Sequence, residues 1–402
     1  MRKKQDRTLQ IEWVPGIDGI EQKEWDALAV PLDTPLLEWE WLRQFEVSGS
    51  MVPELGWLPY HLTIRAGSDL IAAAPLYIKG HSQGEFVWDY MWADVASQLN
   101  VKYYPKLVGM CPVTPAIGYR FLISPAEDED NLTEIMLYAI DNFCSKNNLS
   151  GSSFHFVDPE WRKLIMKHGY SAWLHQSYEW QNLLYGSFDD YLQSFTKNQR
   201  RNIKRERERV KTQGVTVRAF TGDEIPERFL PAMYKFYEHT NDQFGPWGGK
   251  YLNRAFFEGL HAEFRHRLLI IAAFEERRPE KPIGMSFLLT KGTHIIGRYW
   301  GTSQNVDSLH FDTCYYCPIE WAINNGVESF DPGSGSPHKL RRGFFAIGNY
   351  SLHRYQDPHL RNVMEMHIDE INRKEQDRID SMNATIPFKL DRLPSSPSTK
   401  SV

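Results

Sequence analysis

The sequence predicts a mixed α+β protein with two domains of related fold. Three observations carry that expectation. The chain has 402 residues, long for one domain and comfortable for two. Strand patterns alternate with helical ones, as in sheets with helices packed on their faces. The order strand, strand, loop, helix, strand occurs twice, about 170–210 residues apart, a weak internal repeat.

The elements follow in order. Leu70–Ile78 and Glu85–Trp92 read as adjacent strands, Leu132–Asn147 as a helix, Ser152–Val157 as a strand and Pro159–His168 as a short helix. The segment His175-Gln-Ser-Tyr-Glu-Trp180 alternates like a strand, with His175, Ser177 and Glu179 on one face and Tyr178 and Trp180 on the other. Ser187-Phe-Asp-Asp190 has the S-x-x-D form of a capping box. Leu192, Phe195, Ile203 and Val210 then fall near one face at the 3.6 period, and Gly214 suits a helix C-terminus. One long helix over 188–213 is expected to open the second domain. Val215–Phe220, Leu268–Phe274, Ile283–Leu289 and His294–Trp300 read as strands, Asp312–Asn325 as a helix and Val327–Asp331 as a strand. Residues 361–382 read as a solvated helix, and the Pro/Ser-rich residues 391–402 as a disordered tail. The expected divisions are 1–186, 187–360 and 361–402.

Composition narrows the function classes. Aromatic residues make up 13% of the chain, with 22 Phe, 19 Tyr and 13 Trp, which excludes a disordered or fibrous protein. The net charge of −5 argues against a generally basic nucleic-acid-binding protein. The basic start has no apolar run after it, and no stretch reaches the roughly 18 apolar residues of a membrane span. Cys314 and Cys317 form one C-x-x-C without a second ligand pair nearby, so no metal site is expected. A cytoplasmic protein is the expectation.

Four segments carry candidate chemistry. Residues 197–211 hold eight Lys/Arg against two Glu, a net +6 that leaves −11 for the rest of the chain. Arg200, Lys204, Arg207 and Lys211 would form one basic ridge, able to hold phosphates. The same pattern also suits a solvated face with Arg205–Glu208 and Glu206–Arg209 pairs. His310-Phe-Asp-Thr-Cys-Tyr-Tyr316 opens a helix, with Asp312 either its N-cap or a catalytic carboxylate. Asp331-Pro-Gly-Ser-Gly-Ser-Pro-His-Lys-Leu-Arg-Arg342 places acid and base types in a flexible turn after a strand. On the strand at 175–180, Glu179 is a candidate for a raised-pKa base or for a structural pair. No G-x-S-x-G elbow appears, so a serine hydrolase is not expected.

Together these blocks, with Arg298-Tyr-Trp-Gly301 and Gly335-Ser-Pro-His-Lys-Leu-Arg-Arg-Gly-Phe344, resemble the FemAB-like proteins of peptidoglycan biosynthesis/recognition. That family is placed with the GNAT acyl-CoA N-acyltransferases. The resemblance covers roughly residues 10–375, and implies tandem GNAT-like domains, each a mixed twisted sheet with helices on both faces. It implies transfer of an acyl or aminoacyl group to an amine on a small molecule or peptide, in cell-envelope metabolism. The implied donor is acyl-CoA (acetyl-CoA) or aminoacyl-tRNA, with tRNA a possible partner and no metal. No Arg/Gln-x-x-Gly-x-Gly/Ala pyrophosphate loop is found, nor a long heptad-patterned insertion, and Asp312 stands where the family is expected to favour Glu.

Residue type and clustering then assign expected roles. His310 or Asp312 is the base, Tyr315 or Tyr316 the proton donor, and Lys339 and Arg342 stabilise charge. Tyr178, Glu179, Tyr299, Trp300, Asp331 and His338 are expected at the substrate, and Arg200, Arg201 and Lys204 at phosphates. The rival expectation is a non-catalytic GNAT-fold recognition protein that binds a peptidoglycan precursor or peptide through Trp88, Trp92, Trp247 and Trp300.

Overall fold

The structure is a computed structural model that describes residues 8–245, 248–335 and 337–389. The expected tail at 391–402 and Trp247 lie outside the described residues.

The chain runs β1 (Leu9–Val14), α1 (Gln22–Ala29), α2 (Trp39–Val47), β2 (Trp57–Pro59), β3 (His61–Ala66), β4 (Asp69–Ala74), β5 (Tyr77–Lys79), α3 (Tyr90–Gln98), β6 (Lys106–Gly109), β7 (Leu122–Ile123), α4 (Glu129–Lys146), β8 (Gly151–Phe154), α5 (Pro159–Met166) and β9 (Ser171–Gln181). It continues with α6 (Phe188–Gln193), α7 (Lys197–Thr212), β10 (Val215–Thr221), α8 (Phe229–Gln243), α9 (Arg254–Glu263), β11 (Leu268–Glu275), β12 (Pro282–Lys291) and β13 (His294–Thr302). Then come α10 (Leu309–Phe311), a π-helical turn (Asp312–Tyr316), α11 (Cys317–Asn324), β14 (Ser329–Asp331), β15 (Phe345–Tyr355) and α12 (Pro358–Asn383). The mixed α+β class is as the alternating patterns predict.

The chain divides into two compact units. Unit 1 comprises Met1–Gln176, Gly249–Phe264 and Gly348–Gln376, and unit 2 comprises Ser177–Gly248, Arg265–Ile347 and Asp377–Val402. This division starts unit 2 at Ser177, within β9, where the sequence pattern suggests 187. It also assigns α9 and most of α12 to unit 1.

Each unit contains a parallel strand pair reached through a crossover helix. In unit 1, β6 and β8 are parallel and α4 lies between them in sequence, while β5 and β15 pair antiparallel on either side. A separate antiparallel sheet has the order β1-β3-β4-β7. In unit 2, β10 to β13 form an antiparallel meander, and β14 returns parallel to β13 after the helix at 309–324. β11 is buried along nearly its whole length, which accounts for its continuous apolar run.

The parallel pairs differ at their C-terminal ends. Past β6 and β8, the His155 amide still donates to the Gly109 carbonyl at 2.9 Å, and the Gly118 and Tyr119 amides donate to Phe156. Tyr119, Phe121, Phe154 and Trp161 pack together there. That end is closed. In unit 2, β13 and β14 pair only from His294↔Ser329 to Ile296↔Asp331. The chain then turns at Gly333 with φ +73, where a Cβ would lie 2.8 Å from the Gly297 carbonyl oxygen. Only glycine fits both conditions. β13 runs on to Thr302 with no β14 partner, leaving an opening of the kind that holds ligands in parallel sheets.

Two sequence expectations are corrected. Glu85–Trp92 is not a strand: α3 starts at Tyr90, and Phe86 has φ +56. The helix expected over 188–213 is interrupted at 194–196. There Phe195 bridges Phe388, the Thr196 amide donates to Pro387, and the Lys389 amide donates to Ser194. Ser187 caps α6 by accepting from the Asp190 amide at 3.1 Å, and Gly214 takes φ +70 after α7, as expected.

Candidate active site

The helix after β13 begins at Leu309, three residues before the expected start. Asp312 is therefore not its N-cap but lies in the π-helical turn. Pro318 accounts for that turn. It has no N–H for the carbonyl four residues back, and its ring would crowd that carbonyl, so the helix widens just upstream. The wide turn carries Asp312, Thr313, Tyr315 and Tyr316, all buried.

A cleft of about 540 Å³ lies against this helix in unit 2. Its walls are His239 and Gln243 from α8, Trp300 and Thr302 from β13, the loop 303–306, and Leu309 and His310. His310 is half-buried. Its ring centroid lies 5.4 Å from Trp300, 5.4 Å from Tyr315 and 5.9 Å from His338. Burial, then the neighbouring His338, Arg342 and Lys339, push its pKa down to about 3. The imidazole is thus neutral at physiological pH.

The other expected residues fall into two groups. Tyr315 and His338 stand beside His310, with the Tyr315 hydroxyl 3.0 Å from His338 Nε2. Burial keeps the Tyr315 phenol protonated, and burial with Arg342 and Lys339 pushes His338 down to about 4. Trp300 lines the cleft. Tyr299, the next residue on β13, instead packs against Tyr237 and Phe287.

Asp312 is not part of the cleft wall. Its Oδ1 lies 3.1 Å from Arg207 Nε, and Arg207 also donates to Glu320 at 2.6 Å. Burial raises the Asp312 carboxyl while Arg207 opposes that shift. Tyr316 donates to Glu206, which also accepts from Arg342 at 2.9 Å. Arg342 stacks over Phe311 at 3.5 Å and donates to the His338 carbonyl. Lys339 is buried and donates to the Gly333 and Ser334 carbonyls at 2.6 and 2.9 Å, with its ammonium 5.2 Å from the Tyr178 ring. Asp331 Oδ1 accepts from the Gly333 amide at 2.7 Å. Burial drives Asp331 up and Lys339 down, each held back by the other's opposite charge. Glu179 accepts from Gln181, and burial raises its carboxyl. Lys339 and Arg342 thus brace the turn after β14, although the buried Nε of Arg342 has no hydrogen-bond partner among the described residues.

The basic helix is only partly free. Arg207 turns inward, Arg209 pairs with Asp307 at 3.2 Å, and Glu206 serves Tyr316 and Arg342 rather than Arg209. Arg200 donates to Gln193, Lys204 lies 3.7 Å from Asp189, and Arg201 is exposed. Glu206 and Arg207 are site-supporting residues that the pairing pattern assigned to the helix surface. They flank the face of Ile203 and Val210, the apolar stripe, and that position signals inward charge. Of the aromatics expected for recognition, Trp88 is 67% exposed, but Trp92 is 2% exposed and cannot line a surface. Among the described residues no group of three or more His, Cys, Asp or Glu is placed to hold a metal ion, and no helix is long and apolar enough to cross a membrane.

Comparison with known proteins bears on the fold and the family. The FemX crystal structure aligns with a TM-score of 0.53 at 11% identity, covering 88% of this chain and all of FemX. L-PGS from Bacillus licheniformis aligns at 0.49 with 13% identity, over 85% of this chain and 98% of its own. A tandem GNAT protein from the clavulanic acid biosynthesis pathway aligns at 0.42 with 11% identity, over 87% of this chain and 99% of its own. No curated protein matches. At such identity the likeness to FemX is one of fold. The profile of the FemAB-like proteins, described as peptidoglycan biosynthesis/recognition, matches residues 16–390. A match over nearly the whole length shows that this chain belongs to the FemAB-like family.

Proposed function

We propose that unit 2 transfers an acyl or aminoacyl group to an amine, with the acceptor entering the cleft beside His310. One observation carries this reading: a neutral imidazole on the cleft wall, between Trp300 on β13 and His338 after β14, where the parallel strands part. The acceptor nitrogen attacks the donor carbonyl while His310 accepts its proton. His310 is a weak base, but the amine becomes a strong acid as the new C–N bond forms, so a weak base suffices. Tyr315, held protonated and close to His338, is the proton donor to the leaving group. Asp312 does not act on substrate and serves to fix the π-helical turn to Arg207.

The donor is an acyl-CoA or an aminoacyl-tRNA. The outward cations of α7, Arg201 above all, are the residues proposed to meet its phosphates. The test is product formation. Purified protein is incubated with panels of acyl-CoAs and charged tRNAs and with amine acceptors, and the acceptor's mass gain is followed. The expected result is one donor class giving product with the native chain and none with His310→Gln. Equal product from the His310→Gln variant would overturn the assignment.

A further inference from the structure

Resting on the transfer reading, we propose that the acceptor held in this cleft is a saccharide carrying a free primary amine. The chemistry of the walls favours it. Among the described residues, no Lys, Arg, Asp or Glu lines the cleft. A phosphate would find no cation there, and a charged ammonium would find no carboxylate. A lysine side chain, with a pKa of about 10.4, stays charged at neutral pH. An amine on a sugar ring is made less basic by the neighbouring C–O bonds, so a good fraction is neutral and can enter a wall of this kind.

The polar groups present are those that read hydroxyls. Gln304 and Asn305 are exposed on the cleft loop, and among the described residues their side-chain amides have no hydrogen-bond partner. Each offers a donor and an acceptor side by side, suited to neighbouring hydroxyls. Trp300 adds a flat apolar face for the C–H side of a pyranose. His310 stands beside that indole, where the amine is to be deprotonated. The step balances. The sugar nitrogen forms the new N–C bond, and the carbonyl's bond to the donor sulfur or oxygen breaks. The proton passes from nitrogen to His310, and the departing thiolate or alkoxide takes one proton from Tyr315.

Binding and turnover are measured separately on the full chain. Glucosamine, N-acetylglucosamine, lysine and glucosamine 6-phosphate are titrated by calorimetry and by saturation-transfer NMR. The expected result is that the two neutral-faced sugars bind, while lysine and the phosphorylated sugar bind at least tenfold more weakly. Trp300→Leu and Gln304→Ala should each weaken sugar binding by about tenfold. Gln304 is on an exposed loop, so its variant keeps the test valid if Trp300→Leu fails to fold. Sugar binding weakened in Trp300→Leu and Gln304→Ala, with N-acylated glucosamine as product of the native chain, supports both readings. Sugar binding without product from any donor keeps the saccharide site and overturns the transfer reading. Product on a lysine peptide with no sugar binding overturns the saccharide acceptor and keeps transfer.

Discussion

Mild acid should destabilise unit 1. The cause is three imidazoles buried on one polar face. Ser351 Oγ lies 2.7 Å from Nε2 of both His175 and His353, and neither ring nitrogen of His155 has a hydrogen-bond partner. Burial pushes His175 to about 4 and His353 to about 3, and burial with Lys106 holds His155 well below its ordinary value. The unfolded chain, with a histidine pKa of about 6.5, therefore takes up protons first as pH falls, and stability is lost below that value. Each imidazole kept neutral in the folded state costs about 0.8 kcal/mol at pH 6 and about 2 kcal/mol at pH 5.

Three such residues set an upper bound of about 6 kcal/mol at pH 5. Several facing groups modify it. Glu85, raised by burial, gains a proton in the folded state and offsets part of the loss. Asp89, lowered through its contacts with Lys106, loses its contribution only at lower pH, and Lys79, pushed to about 7, takes up its proton near the top of the range and adds a small loss of the same sign. The three imidazoles are coupled and His175 is half-buried, so half the bound, about 3 kcal/mol, is the working figure. At about 2–4 °C per kcal/mol for a domain of this size, Tm should fall by about 6–12 °C between pH 7.5 and pH 5. Calorimetry of the full chain in matched ionic strength measures this, and His353→Gln should give a shallower fall. A Tm that is flat over this range, or an unchanged slope in His353→Gln, would refute the reasoning. His310 and His338 add a smaller term of the same sign in unit 2.

Three further outcomes are expected. His310→Gln should lower kcat of the transfer reaction by about 10²–10⁴-fold with little change in Tm, read from initial rates and melting curves. Asp312→Asn should do the reverse, leaving kcat within about twofold while costing about 3 kcal/mol in urea unfolding, because Arg207 loses a buried partner. Gly333→Ala should cost about 1–3 kcal/mol, since both its φ and the Gly297 carbonyl oppose a side chain, and should disturb the carbonyls that hold Lys339.

The two-part α+β plan was legible because it rests on local patterns. The β11 run, the Ser187 cap, Gly214 and the strand at 294–300 each announce themselves within a few residues. The failures share one cause, a distant partner that overrides local preference. The helix at 188–213 breaks because Phe195 and its neighbours join 386–389, far away in sequence. Asp89 is drawn to Lys106, in a stretch whose alternation resembled a strand. The candidate residues were legible by type, but their roles were not. His310 and Asp312 are two apart on one helix, and only the fold shows that one meets the cleft and the other Arg207.

The two parallel pairs bear on where a donor could be held. In unit 1, the backbone beyond β6 and β8 is occupied by its own chain, through His155 with Gly109 and Phe156 with Gly118 and Tyr119. Tyr119 and Phe154 pack around Gly109, where a Cβ would meet the Tyr119 hydroxyl at 2.2 Å and the two rings at 2.5 and 2.6 Å. Nothing extended can pair with those strand ends without displacing this packing. In unit 2, three registers of pairing give way to the Gly333 turn, and β13 beyond Ile296 has no β14 strand beside it. β13 beyond Ile296 thus has no β14 partner, whereas the matching place in unit 1 is closed by its own chain. His310 lies on the helix that follows the open strand. This backbone difference supports the proposal that the chemistry lies in unit 2, independently of which side chain takes the proton.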